Sequence, residues 1–252
     1  MKDLQKHVVE QFGLPAAQAF YIAKAETGLW PSEEVVIKRY FPYGARVLDL
    51  GCGTGRTTIP LFQMGYSVVG VDITPEMVAN AKKVAQTKGL AISYEVGDAT
   101  ALRFPDNSFD CVLFSNQGWT QVPGSANLLR ALQEIRRVLK PGGIFIFTTH
   151  VRKWRGFTLF WLTQWIKLYL LKPLGFRIDE EDWGDRFFNK ETSAKDDIPH
   201  YEKQYVHIPS VKETKRAIAA APFVLEFSER SNEIAGMRDR IHSPMFYICR
   251  KR

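Results

Sequence analysis

The sequence predicts an α/β fold, a mostly parallel sheet with helices on both faces. Three observations carry that expectation. Between residues 46 and 149, short apolar runs alternate with segments of helical period. The first run ends in a bend with three glycines in five positions, Gly51, Gly53 and Gly55, and the second ends in an acid, Asp72. The chain has 252 residues, 45% hydrophobic and 24% charged, enough to bury the core such a sheet needs.

Residues 3–12 and 16–27 read as helices, broken at Gly13 and Pro15. Pro31-Ser32-Glu33-Glu34 opens a third helix, which Pro42 and Gly44 end. These N-terminal helices occupy residues 1–41. Then 46–50 is a buried strand, 57–64 a helix and 67–71 a second strand. Thr74 can cap the next helix, Pro75 suits its first turn, and it runs to about residue 88. Residues 92–96 and 109–114 are the third and fourth strands. Residues 125–139 form a helix ended by Lys140-Pro141-Gly142-Gly143, and 144–149 is the fifth strand. From 151 to 203 the rhythm breaks into an aromatic, irregularly charged insertion. Past it come a strand at 204–208, a helix at 210–221 and strands near 223–229 and 245–250. The whole chain, 1–252, is expected to be one domain with additions.

The bend Gly51-Cys52-Gly53-Thr54-Gly55 joins a strand to a helix. Glycines permit the tight turn and let a ligand approach the backbone closely. The helix start behind it offers free N–H groups. Its G-x-G-x-G spacing departs from the G-x-G-x-x-G of NAD sites. Asp49, two residues before the bend, would repel a pyrophosphate and attract an ammonium. Asp72 lies 21 residues beyond Gly51, at the strand end that faces a nucleoside ribose in a doubly wound sheet. A carboxylate there gains hydroxyl bonds worth about 1.5–3 kcal/mol each. Alone, Asp72 reads equally well as a helix cap; paired with the bend, the ribose role is favoured. Ile73 can pack on the base. Asp98 can accept from an adenine amino group, or be a polar turn residue. Asn116 and Gln117 border the reacting end. Trp119 either walls the pocket or packs in the core. S-adenosylmethionine (SAM) is a nucleoside that carries an ammonium and no phosphate.

Together these motifs resemble the class I SAM-dependent methyltransferases, and within them the type 11 branch typified by quinone-biosynthesis enzymes. VLDLGCGTGRTT, GVDITPEMV, VGDATALRFPDNSFDCVLFSN and LQEIRRVLKPGGIFIFTT match that family's successive motifs, over residues 40–149. The resemblance implies a Rossmann-like, seven-stranded, mostly parallel sheet whose last strand, 245–250, runs antiparallel. It implies Asp49, Gly51, Gly53 and Gly55 at the methionine end of SAM, Asp72 at the ribose, and Asp98 with Ala99 at the adenine. Cys52 and Asn116 complete the expected cofactor set. Where the family often has a Gly-Phe turn, this chain has Ala221-Pro222-Phe223.

Methyl transfer asks a protein chiefly for alignment and water exclusion; orientation alone supplies up to ~7–11 kcal/mol. No metal is expected, and the acidic run Asp179-Glu180-Glu181-Asp182 reads as a solvated loop. Where the acceptor needs a base, His150, just past the fifth strand, is best placed, ahead of His200 and His207. A lone histidine is, however, more often structural.

The formal charge is +7. Residues 1–150 carry 15 Lys+Arg and 13 Asp+Glu, leaving most of the surplus in the second half. A solvated surface explains it more simply than a polyanion partner. No aromatic–basic interleaving of an RNA platform is present, so no nucleic-acid partner is expected. Cys52, Cys111 and Cys249 show no C-x-x-C spacing and no secretion signal precedes them, which suits a reducing cytoplasm. Residues 157–171 are apolar apart from Thr158, Thr163, Gln164 and Lys167, and fifteen residues fall short of the ~20 a membrane span needs. Residues 152–172 are expected to form a lid over an apolar substrate or a helix lying in a membrane surface, against burial on the domain or a dimer contact. The expected acceptor is a small apolar or lipid-like molecule. A methyltransferase acting on RNA or protein, and a non-catalytic SAM-binding protein, are the alternatives.

Overall fold

The computed structural model describes residues 2–154, 157–188, 204–236 and 243–252. His200 and residues 189–203 of the expected insertion lie outside them.

Three helices come first: α1 (Lys2–Gly13), α2 (Pro15–Ala25) and α3 (Pro31–Tyr40). The alternation follows: β1 (Arg46–Leu50), α4 (Thr58–Gln63), β2 (Ser67–Asp72), α5 (Pro75–Thr87), β3 (Ser93–Val96), β4 (Phe109–Phe114), α6 (Ser125–Val138) and β5 (Leu139–Thr149). The insertion contributes α7 (Thr158–Ile166), short turns to Leu174 and β6 (Asp185–Phe188). The chain closes with β7 (Gln204–His207), α8 (Val211–Ala220), β8 (Phe223–Arg230), α9 (Ser231–Ile234) and β9 (Met245–Lys251).

Seven strands form one sheet in the order β3-β2-β1-β4-β5-β9-β8. Strand β9 runs antiparallel to both its neighbours, and the remaining pairs are parallel. The Rossmann-like sheet with its antiparallel last strand is therefore as expected. The strand order reverses between β1 and β4. In open α/β sheets that switch point leaves a crevice beyond the carboxyl ends of the strands.

Both faces of the sheet are covered, which is why its central strands read as unbroken apolar runs. Leu48, Leu50, Val112, Phe145 and Phe147 face one way, onto Leu128, Leu132 and Ile135 of α6 and Ile218 of α8. Val47, Cys111, Leu113, Ile144 and Ile146 face the other, onto Val36 and Ile37 of α3 and Leu61 of α4.

Several local expectations are corrected. Helix α6 ends at Val138, and β5 starts at Leu139, not at 144, because Leu139 already pairs with Phe109. A register shift between Phe109 and Cys111 absorbs the Pro-Gly-Gly stretch. Thr74 occupies the N-cap of α5 without a side-chain cap bond; its backbone N–H instead donates to Asp72 Oδ1 at 2.9 Å. The insertion is partly regular: β6 pairs antiparallel with β7 in a separate hairpin. Strand β6 was not expected, because four residues with two adjacent aromatics display no alternation.

Candidate active site

The glycine bend sits at the carboxyl end of β1. Its three glycines have positive φ, +60° at Gly51, +54° at Gly53 and +98° at Gly55. They serve different purposes. A Cβ at Gly51 would meet the Phe114 ring at 2.8 Å, whereas one at Gly53 would meet nothing within 4 Å. Gly53 therefore leaves open space over its backbone, and its conformation still disfavours a side chain. Gly55 faces inward, where a Cβ would come within 2.8 Å of the Tyr94 hydroxyl. It allows close packing of loop on sheet and lines no described cavity.

A cleft of about 910 Å³, partly open to solvent, lies over the carboxyl ends of β1, β2 and β4. Gly51, Gly53, Asp72, Ile73, Asp98, Ala99 and Asn116 all line it. Asp72 Oδ2 accepts the Gly53 N–H at 2.9 Å while its Oδ1 takes Thr74. It thereby fixes the bend to the start of α5 and still lines the cleft. Burial raises its pKa, and the N–H donors from Thr74 and Gly53 oppose that rise. Asp98 accepts from the Thr100 backbone N–H and hydroxyl, each at 2.8 Å. Its other oxygen takes Gln5 Nε2 at 2.6 Å.

That last bond comes from α1, a helix that no local pattern places here. Gln5, Val8 and Phe12 of α1 and Tyr21 of α2 roof the cleft. The Thr54 hydroxyl donates to the Tyr21 carbonyl at 2.5 Å, tying roof to bend. A smaller adjoining recess is lined by Lys24, Gly51, Cys52, Gly53, Arg56 and Asn116, among others. Lys24 Nζ donates to Asn116 Oδ1 at 3.1 Å. The Cys52 thiol is buried, with its pKa raised by desolvation, so it is a wall and not a nucleophile.

Three side chains weighed for the site lie outside the cleft. Asp49 lines neither space. It is buried beneath the bend, where its Oδ2 accepts the Thr57 and Thr58 hydroxyls at 2.6 Å each. As a residue of the central strand it points into the protein, not out of the strand end. Desolvation pushes its pKa up to about 6, against the lowering effect of the two threonines. Trp119 is core, with its indole N–H donating to the Leu128 carbonyl at 3.1 Å; the short turn at Gly118–Gln121 swings it inward. His150 is exposed and lines a second cavity of about 970 Å³, not the glycine-bend cleft. Phe157, Trp161, Arg186 and Arg230 share that second cavity.

His207 lies in neither cavity: its Nδ1 is 2.8 Å from Asp185 Oδ1, which also accepts the Tyr205 hydroxyl at 2.9 Å. This buried cluster braces the β6–β7 hairpin. Among the described residues no group of His, Cys, Asp or Glu is arranged to hold a metal ion.

Sequence reasoning also missed Glu33 and Arg56. Glu33, fully buried on α3, accepts both guanidinium prongs of Arg56 at 2.7 Å. It further accepts the Trp30 N–H at 2.7 Å and the Ser115 hydroxyl. One carboxylate thereby joins α3, the glycine bend and the end of β4. No local pattern in the sequence links the two, which lie 23 residues apart.

Comparison with known proteins agrees with this geometry. Residues 48–147 match the family model described as a methyltransferase domain. A ubiquinone biosynthesis O-methyltransferase of Cereibacter sphaeroides is 35% identical over 128 residues, 49% of this chain and 50% of that one. A demethylmenaquinone methyltransferase of Symbiobacterium thermophilum is 36% identical over 150 residues, 54% of this chain and 57% of that one. The chain thus spans about half the length of the curated relatives it matches. A solved SAM-dependent methyltransferase from Methanosarcina mazei superposes with a TM-score of 0.68 at 23% identity, covering 89% of this chain and 98% of that one. The solved [4+2]-cyclase SpnF shares the fold too, with a TM-score of 0.58 at 20% identity over 86% of this chain and 78% of that one. The fold alone does not fix the chemistry.

Proposed function

We propose, from the match of residues 48–147 to the methyltransferase-domain family model, that the chain is a SAM-dependent methyltransferase acting on a small apolar or lipid-like acceptor. One observation carries the cofactor assignment. The cleft at the glycine bend is lined by two carboxylates, Asp72 and Asp98, and by no lysine or arginine among the described residues. Such a lining favours a cationic nucleoside and opposes a pyrophosphate.

The rest of the lining fits the same group. Asp72 is aimed into the cleft to receive ribose hydroxyls, and Ile73, Ala99 and Met77 offer an apolar seat for the base. The open space over Gly53 suits a ligand held close to the backbone. The amino-acid end is assigned to the recess at Gly51, Gly53 and Asn116. Lys24 there, bonded to Asn116 and set over the rings of Tyr21 and Trp30, adds a positive charge that suits a carboxylate. Asp49 acts from below, by holding Thr57 and Thr58 and hence the bend.

SAM supplies a methyl group made electrophilic by its sulfonium. The chain has to align the acceptor with it and keep water out, and the roof of α1 and α2 performs the second task. His150 is the candidate base. For that role the acceptor must reach from the second cavity to the edge at Asn116 and Gln117. The Gln117 N–H donates to Thr148 Oγ1 at 2.8 Å, so the ends of β4 and β5 are fastened together two residues before His150.

The apolar lining of the second cavity by Phe157 and Trp161, and relatives named for quinone biosynthesis, support an apolar acceptor. Three free, buried cysteines support a reducing compartment, and we assign the chain to the cytoplasm. A second reading, SAM held without methyl transfer, draws on the cyclase that shares the fold. Incubation with methyl-labelled SAM and a panel of quinols, phenols, fatty acids and tRNA tests all of these. Label in a quinol, phenol or fatty acid is the expected result. Label in tRNA alone supports the nucleic-acid alternative, and bound SAM with no labelled product supports the second reading.

A further inference from the structure

Helix α7 is built inside out for a helix on a water-facing surface. Its protein side carries Trp161, Gln164 and Leu168 of the turn that follows, all buried. The buried Gln164 bonds to the Asp185 carbonyl through its amide nitrogen and takes the Gly184 N–H at 3.3 Å. The opposite side carries Leu159, Leu162, Ile166 and Leu170, spaced at the helical period. Leu159 is 74% exposed and Leu162 51%. An ordinary surface helix buries its leucines and exposes its glutamine.

The pattern continues beyond the helix. Among the described residues fifteen large apolar side chains are exposed, and ten of them fall between Trp154 and Phe176. Leu174 is 74% exposed and Phe176 60%. Scattered apolar residues need no explanation, but a concentration of this size marks a surface that something covers. No helix among the described residues is long and apolar enough to cross a membrane.

The charge of the segment says what covers it. From Lys153 to Arg177 the sequence holds five basic residues and no acidic one. Lys172 and Arg177 are exposed at the rim of the patch. Lys167, 49% exposed, lies 3.6 Å from Glu180, whose side chain is largely buried, and Lys172 Nζ donates to the Glu180 carbonyl at 2.6 Å. The acids begin only at Asp179, and Asp182 is bound to the start of α6 through Ser125. An apolar face rimmed by long cationic side chains fits the boundary between lipid headgroups and acyl chains, where lysine and arginine reach back to anionic headgroups.

We propose that α7 and the turns after it, residues 157–177, dock this protein on an anionic lipid surface, with Leu159, Leu162, Leu170, Leu174 and Phe176 entering the acyl boundary. The docking face is the outer side of the same helix whose Phe157 and Trp161 wall the second cavity. It stands independently of methyl transfer, since lipid binding is read without turnover.

The test is sedimentation of the purified full chain with vesicles of phosphatidylcholine, alone or mixed with phosphatidylglycerol. The protein is expected to pellet with the mixed vesicles and much less with phosphatidylcholine alone, and added salt is expected to release it. Leu159→Glu and Leu174→Glu place charge at exposed positions, where neither disturbs the core. Each is expected to weaken partitioning about tenfold or more, with circular dichroism and SAM binding unchanged. Trp165 is 45% exposed, so the mixed vesicles are also expected to shift tryptophan emission to the blue, and Trp165→Phe to reduce that shift. Absence of binding to either vesicle overturns the proposal, as does unweakened binding of both glutamate variants. So does a wild-type dimer in solution that Leu159→Glu converts to monomer, which would make a second copy the cover.

Discussion

Glu33 and Arg56 face each other as a buried two-pronged pair, both N–O distances being 2.7 Å. The Arg56 guanidinium also lies 4.4 Å over the Trp30 ring, and the pair reaches the end of β4 through Ser115. Breaking such a pair leaves a charge buried alone, at a cost of about 3–5 kcal/mol. Glu33→Gln is therefore expected to lower the free energy of unfolding by about that much in urea titration. The double change Glu33→Gln with Arg56→Met, which removes the stranded charge, is expected to be milder than Glu33→Gln alone.

Asp49 makes stability depend on pH. Desolvation raises its pKa from 3.8 to about 6 in the folded protein, so the folded state holds this proton more tightly than the unfolded chain does. Below about pH 4 both states are protonated and Asp49 costs nothing. Between pH 4 and 6 the unfolded chain ionises first, and stability falls. Above pH 6 the loss is complete, at most ~3 kcal/mol. Asp49→Asn is expected to lack this fall, so the difference between wild type and variant in denaturant titrations at pH 4.5 and pH 7.5, values chosen either side of the transition, isolates it.

The roof is predicted to hold ligand more than it holds the fold. Phe12→Ala removes an apolar wall of the cleft, and Gln5→Ala removes the 2.6 Å bond to Asp98. Each is expected to raise the Kd for SAM several-fold by calorimetry, about 1 kcal/mol, while the unfolding midpoint moves little because both positions lie on the outermost helix.

His150→Ala separates catalysis from cofactor binding. Because His150 lies outside the glycine-bend cleft, SAM affinity is expected to stay nearly unchanged. If His150 is the base, turnover falls by about a hundredfold or more. Equal turnover of the two proteins removes it from the mechanism.

The sheet was legible because its signals are local. Apolar runs such as 109–114 fix strands, and Pro75 fixes a helix start. The cleft residues Gly51, Gly53, Asp72, Ile73, Asp98 and Ala99 were legible for a related reason: each stands at a strand end that the alternation locates. The failures have one physical origin. Gln5 meets Asp98 across 93 residues, and Glu33 meets Arg56 across 23, with no period linking them. Asp49 was read by its distance along the chain from the bend, whereas the pleat of β1 decides which way it points. His150 was placed by being next to a strand end, but β5 lies away from the switch point. The apolar character of 157–171 was legible, yet which side of α7 is buried required the fold.

The proposed chemistry depends on the cleft at Gly53 and Asp72. The most direct measurement is calorimetric titration of the purified chain with SAM and with NAD, repeated for Asp72→Asn. One SAM bound per chain is expected, with no heat from NAD, and an affinity for SAM weakened about ten- to a hundredfold in the variant, as for the loss of one charge-assisted bond. No binding of SAM, or equal binding by wild type and Asp72→Asn, would contradict it.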